Sequence, residues 1–243
     1  MRALAVIPAR HASTRFPGKP LALLGGRPVV EWVYEAAASC PHFENVVVAT
    51  DSRPIADAVR SFGGMVELTR TDHLTGTDRV AEVAERHPQA DVIVNVQGDQ
   101  PFVTARMLEQ LLGPYLRGES PEMTTLACPV DVEAASDPNV VKVVCDRERR
   151  ALYFSRAPIP HGANSAMPFL HHLGLYAFRA DFLRVYARLA ETALERCERL
   201  EQLRVLEHGY RITVCPTERA VLEVNTPEDL ERAEELLAAA GPA

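Results

Sequence analysis

The sequence has few cysteines, and none are paired by spacing. Cys40, Cys128, Cys145, Cys197 and Cys215 are odd in number and contain no CxxC. That excludes a spacing-defined disulfide framework or zinc ribbon, and the expectation is reduced cytosolic thiols, mostly in the core. No apolar run approaches the roughly 18 residues that a membrane span needs. The first residues, with Arg2, lack a long apolar stretch, so neither a signal peptide nor a membrane partner is expected. The net charge of −7 argues against a general nucleic-acid binder and leaves room for a local basic loop that meets a small anion. Several catalytic signatures are missing as well. There is no HExxH, no GxSxG elbow and no GxGxxG after the first apolar run. Gly18-Lys19 begins to look like a P-loop, but Ser13 stands at the first glycine position and Pro20 follows the lysine.

What is present is an ordinary globular composition, 47% apolar and 24% charged over 243 residues. That length suits one large α/β domain, or one domain with a small appendage. Residues 45–50 (NVVVAT) and 91–96 (DVIVNV) are β-branched runs that fit central strands buried on both faces. Helices are expected at 28–38, 53–62, 79–86 and 104–116, with a short strand at 66–68. Alternation of this kind predicts a parallel sheet covered by helices. The middle of the chain reads differently. Strand-like runs at 124–129, 140–145, 151–155 and 172–179, with a hairpin turn at 146–150, predict a β-rich part. Residues 161–168 read as a loop. Helices follow at 179–188, 194–200 and 202–208, and strands at 211–215 and 222–224. The last helix, 227–240, has Thr226 as N-cap and Asp229 three residues on.

Polar clusters follow three of the predicted strands. The first is the loop IPARHASTRFPGKP with Arg10, Arg15 and Lys19; the second is Gln97 with Asp99; the third is Asn225. Open parallel sheets bind ligands beyond the carboxyl ends of their strands, so these clusters are expected to share a crevice. A basic loop there suits a polyphosphate, although a merely solvated loop reads the same way. Asp99 suits a Mg²⁺ ligand, and equally an Asx turn that ends its strand. His171 and His172 point to opposite faces of a strand, so at most one can face a site.

With those residues stated, the chain resembles the 3-deoxy-manno-octulosonate (Kdo) cytidylyltransferase family. The resemblance is carried by IPARHASTRFPGKPL, VVVATDS, TRTDHLTGTDRVAEV, VIVNVQGDQPFV, NVVKVVCD, ALYFSRAPIP, HHLGLYAFR, LERCERLEQLRVLEHG and VNTPEDLE, in family order. It implies a Rossmann-like nucleotide-diphospho-sugar transferase fold, a three-layer α/β structure with a mainly parallel seven-stranded mixed sheet. It implies a single domain over 1–243, with a β-rich part at about 124–180 for sugar binding and dimer contact. The implied reaction is CMP transfer from CTP to Kdo with Mg²⁺, feeding lipopolysaccharide synthesis in the cytoplasm, by a homodimer. By position, Arg10, Ser13, Arg15, Lys19, Thr77 and Arg79 match CTP-binding residues, with Arg10, Lys19 and Asp99 catalytic. Gln97, Arg156, His172, Tyr176, Glu201 and Gln202 match the residues around the sugar acid. Asp99 matches the first metal carboxylate.

The departures from the family pattern lie near the metal. Asn225 stands where the family usually has the second metal aspartate, and Gln100 stands where it usually has glutamate. Glu223, two residues before Asn225, is a candidate to replace part of the lost charge. The alternatives that these changes keep open are another acid acceptor (an amino-Kdo, a sialic-acid-like sugar or a phosphonate) and a weakly active or non-catalytic homologue.

Overall fold

The computed structural model describes residues 1–11, 16–164 and 167–240. They form two compact units, one of residues 2–108 with the stretch from 221 onward, the other comprising mainly residues 109–220.

The first unit opens with β1 (Ala3–Pro8), a 3₁₀ turn (Lys19–Leu21) and the short pair β2 (Leu23–Leu24) and β3 (Arg27–Pro28). Then come α1 (Val29–Ala38), β4 (Phe43–Thr50), α2 (Arg53–Ser61), β5 (Met65–Leu68), α3 (Gly76–Arg86) and β6 (Val92–Asn95). Strands β6, β1, β4 and β5 lie side by side in that order, all parallel. Parallel neighbours need crossovers, and the intervening helices provide them. The β1 and β6 side chains are almost wholly buried, as their unbroken apolar runs require. Helix α3 starts at Gly76 rather than at residue 79, because Thr75 and Asp78 close a capping box at its N-terminus. Helix α4 (Ala105–Leu116) begins in this unit and ends in the other.

The second unit holds β7 (Met123–Val130), α5 (Val132–Ser136), β8 (Lys142–Cys145), β9 (Ala151–Ser155) and β10 (Phe169–Arg179). It continues with α6 (Ala180–Tyr186), α7 (Ala193–Glu198), α8 (Leu203–Glu207) and β11 (Ile212–Pro216). Here β10 runs antiparallel to β7 and β8, and β8 antiparallel to β9, while β11 joins β7 in parallel. The turn between β8 and β9 is held by Asp146, which accepts from the Arg150 N–H at 2.8 Å. Helix α5 was not expected, being too short to show a period. Asp131 caps it by accepting from the Ala134 N–H at 2.8 Å.

The chain returns to the first unit, whose last described element is α9 (Pro227–Ala240). Its start is as expected, with Thr226 and Asp229 exchanging hydrogen bonds. Residues 222–224, expected as a strand, form none. The Val224 N–H instead bonds the Asp99 carbonyl at 2.8 Å. Val224 is fully buried with Leu24, Val29 and Ala233, and Leu222 and Leu230 pack on that cluster. This apolar anchor, rather than a sheet ladder, fixes Asn225 beside residue 99. No helix among the described residues is long and apolar enough to cross a membrane.

Candidate active site

A cavity of about 240 Å³ opens in the first unit, beyond the carboxyl ends of β1 and β6. Pro8, Arg10, Lys19, Thr75, Gly76, Arg79, Gln97, Asp99 and Asn225 line it. Arg10 and Lys19 of the first polar cluster, Gln97 and Asp99 of the second, and Asn225 therefore share this crevice. Gly98 permits the close approach of two loops, since a Cβ there would sit 2.8 Å from the Pro8 carbonyl oxygen. Gly18 takes φ +74°, and its N–H bonds the His11 carbonyl at 3.0 Å, turning the chain just before Lys19.

The centre of the site is a cation among oxygens. Lys19 Nζ donates to Asp99 Oδ2 at 2.7 Å and to Asn225 Oδ1 at 3.2 Å. Behind Asn225, its Nδ2 donates to Glu223 Oε2 at 3.1 Å, and Gln100 Nε2 donates to Glu223 Oε1 at 3.0 Å. Gln100 is buried, whereas Glu223 is exposed as a residue and only its carboxyl end is crowded. Desolvation by the atoms crowded around its carboxyl, and then the Asp99 charge, raise the Glu223 pKa above its ordinary value. Asp229 Oδ2 accepts from the Asn225 N–H at 3.0 Å, so the Asn225 backbone is held as well.

Helix α3 supplies one wall. Its N-terminus lines the cavity, and the positive end of a helix dipole favours an anion there. Arg79 is 3% exposed, and its charge is met by Asp51 Oδ2 at 2.8 Å and by Thr69 Oγ1. Thr77 is buried behind this wall and accepts from Asn95 Nδ2 at 3.2 Å. His73 also lines the cavity and is fastened to Glu82. The sequence does not single out His73, although it lies within the stretch TRTDHLTGTDRVAEV. Ser13 and Arg15 lie outside the described residues.

In the second unit, three of the six residues matched to the sugar acid come together. Tyr176 Oη donates to Gln202 Oε1 at 3.1 Å, and Gln202 Nε2 faces His172 Nδ1 at 3.5 Å. His172 Nε2 meets Thr125 Oγ1 at 2.9 Å, and Thr125 donates onward to the Leu175 carbonyl at 2.7 Å. The order is self-consistent with a neutral His172 protonated on Nε2. Burial pushes the His172 imidazole down to about 3. Thr125 belongs to this chain of hydrogen bonds, and sequence reasoning missed it for want of any local signal. Arg156 is tied to main-chain oxygens, donating from Nε to Glu198 O at 2.8 Å and from Nη1 to Pro138 O at 2.9 Å. Glu201 lies by Tyr186, whose phenol is held well above its ordinary value by burial and by that carboxylate. Gln97 belongs to the first unit.

The cytidylyltransferase family model matches residues 4–212. A 3-deoxy-manno-octulosonate cytidylyltransferase of Acaryochloris marina is 63% identical over 96% of each chain. The chain belongs to the 3-deoxy-manno-octulosonate cytidylyltransferase family. Another member, from Synechococcus elongatus, is 54% identical over 96% of this chain and 97% of its own. The solved structure of a CMP:2-keto-3-deoxy-manno-octonic acid synthetase complexed with CTP superposes with a TM-score of 0.93 at 40% identity, covering 99% of this chain and 100% of that one. A 4-diphosphocytidyl-2C-methyl-D-erythritol synthase of Anaerococcus prevotii, at TM-score 0.65 and 14% identity, shares the fold.

Proposed function

We propose that the chain transfers CMP from CTP to Kdo, releasing pyrophosphate. The observation that carries this reading is the oxygen-lined cation position, Asp99 and Asn225 around Lys19, at the mouth of a basic cavity in a chain 63% identical to a named Kdo cytidylyltransferase. In this reading Arg10, Ser13, Arg15 and Lys19 hold the CTP phosphates, with Thr77 and Arg79 near the nucleotide. Gln97, Arg156, His172, Tyr176, Glu201 and Gln202 hold the sugar acid.

The chemistry is an in-line displacement. The anomeric hydroxyl oxygen of the sugar forms a bond to the α-phosphorus. The bond from that phosphorus to the bridging oxygen breaks, pyrophosphate leaves and the hydroxyl proton is released. No side-chain nucleophile is needed, and Lys19 and Arg10 counter the charge that gathers on the leaving pyrophosphate. Arg156 is the candidate partner for the sugar carboxylate.

The residues present fit a hard divalent cation. Asp99 and Asn225 already present oxygens to one cation, the Lys19 ammonium. A single carboxylate with phosphate oxygens suits Mg²⁺, and among the described residues no cluster of His, Cys, Asp and Glu could hold a metal alone. When bound by Asp99 and Asn225 with the phosphates, Mg²⁺ would lower the pKa of the attacking hydroxyl and polarise the phosphate.

We further read the protein as a cytoplasmic homodimer of one nucleotidyltransferase domain, with the β-rich part at about 124–180 serving sugar binding and dimer contact. Pyrophosphate release from CTP, measured against Kdo and a panel of other acids, tests the function. Release with Kdo at least tenfold faster than with any other acid is expected; equal or faster release with another acid overturns it.

A further inference from the structure

Asn225 has a carbonyl oxygen and an amide NH₂, and only one of them can serve a cation. In the structure the oxygen faces the Lys19 ammonium at 3.2 Å and the NH₂ faces Glu223 Oε2 at 3.1 Å. The reverse orientation would turn the NH₂ toward the ammonium and the oxygen toward the carboxylate, which is unfavourable at both ends. Glu223 therefore decides which end of Asn225 points into the site. Its other oxygen accepts from Gln100 Nε2 at 3.0 Å, so the carboxylate is itself fixed by a buried side chain.

We propose that Glu223 is a positioning residue, which by accepting from Asn225 Nδ2 holds the Asn225 carbonyl oxygen toward the metal position, with Gln100 bracing it. Gln100, Glu223 and Asn225 then form one device. A neutral oxygen ligand is oriented by a charge placed one hydrogen bond further out. The same geometry makes Glu223 incompatible with an aspartate at 225, since two carboxylates would face each other at that short separation. The inference rests on the metal-dependent reading above, but it concerns only the arrangement of these side chains.

Mn²⁺ binding to the full chain with CTP present, followed by electron paramagnetic resonance, tests it without any turnover. Glu223→Ala should weaken Mn²⁺ binding about tenfold, in the range that outer partners of metal ligands command. Glu223→Gln should stay within about threefold of wild type, because its amide oxygen still accepts from Asn225 while its NH₂ turns to the Gln100 oxygen. Asn225→Asp alone should bind no tighter than wild type, whereas the double variant E223Q/N225D should bind at least about tenfold tighter than N225D, its new NH₂ donating to the new carboxylate. The conservative variant keeps the test open if E223A does not fold. The proposal is overturned if E223A matches wild type, if E223Q is as weak as E223A, or if N225D tightens binding by the same factor with either residue at 223. Wild-type pyrophosphate release, measured separately, decides the parent reading. An active enzyme that fails this cycle overturns Glu223 alone, and a positive cycle without activity overturns the reaction alone.

Discussion

Lys19 and Asp99, 80 residues apart, form an ion pair of 2.7 Å, with side chains 14% and 21% exposed. The ammonium therefore lies on the oxygen that a metal ion would use, and the two cations compete for it until phosphates arrive to share the charge. Lys19→Met should tighten Mn²⁺ binding several-fold without nucleotide, yet lower kcat/KM for CTP by roughly 10²–10³, as loss of a charge-stabilising donor does. Mn²⁺ titration alongside initial-rate kinetics checks both halves. Weaker metal binding without nucleotide would contradict the competition.

The Asp51–Arg79 pair predicts a stability effect. Arg79 is almost wholly buried, and Asp51 meets its guanidinium at 2.8 Å. Removing the carboxylate with Asp51→Ala leaves an unpaired buried cation, which costs about 3 kcal/mol. Urea unfolding should show the loss, whereas D51A/R79M should recover most of it.

The second-unit hydrogen-bond chain predicts a different split. Gln202→Ala removes the partner of both Tyr176 Oη and His172 Nδ1. The cost should be about 1–3 kcal/mol of stability, the range for leaving a buried polar group unsatisfied. KM for Kdo should rise while KM for CTP stays within about twofold, since the sugar reading assigns these residues to the acid alone. Equal shifts in both would remove them from that role.

Acid sensitivity follows from the two adjacent histidines. Burial holds His171 down to about 4 and His172 down to about 3. Between those values and the ordinary 6.5, the unfolded chain binds protons that the folded chain does not. Stability is therefore full above about pH 6.5 and falls as pH drops toward 4, each group contributing up to about 1.4 kcal/mol per pH unit. Urea midpoints at pH 7 and pH 5 should show the fall, and His171→Asn should reduce the slope. A midpoint unchanged between the two would contradict it.

Much of this arrangement could be read from the sequence where the signal was local. The β-branched runs at 45–50 and 91–96 became β4 and β6, and Thr226 with Asp229 capped α9. Lys19 and Asp99 lie on loops after β1 and β6, and the buried Val224 brings Asn225 to them. What stayed hidden depended on distant partners. The run 222–224 has strand composition, but its position is set by Val224 packing beside α9 and bonding Asp99, so no strand forms. Glu223 was expected to act through its charge on the site. Its bond to Gln100, 123 residues away, gives it a bracing role that no spacing rule reveals. Thr125 likewise enters through side-chain hydrogen bonds to residues about 50 positions away in the chain, and His73 through Glu82 on α3.

The most direct test of the proposed reaction is ³¹P NMR of purified protein with CTP, Kdo and Mg²⁺. The expected result is loss of the three CTP resonances and matched growth of one phosphodiester signal, from CMP-Kdo, and one from pyrophosphate. Persistence of CTP, or growth of CMP with no phosphodiester, would contradict the account.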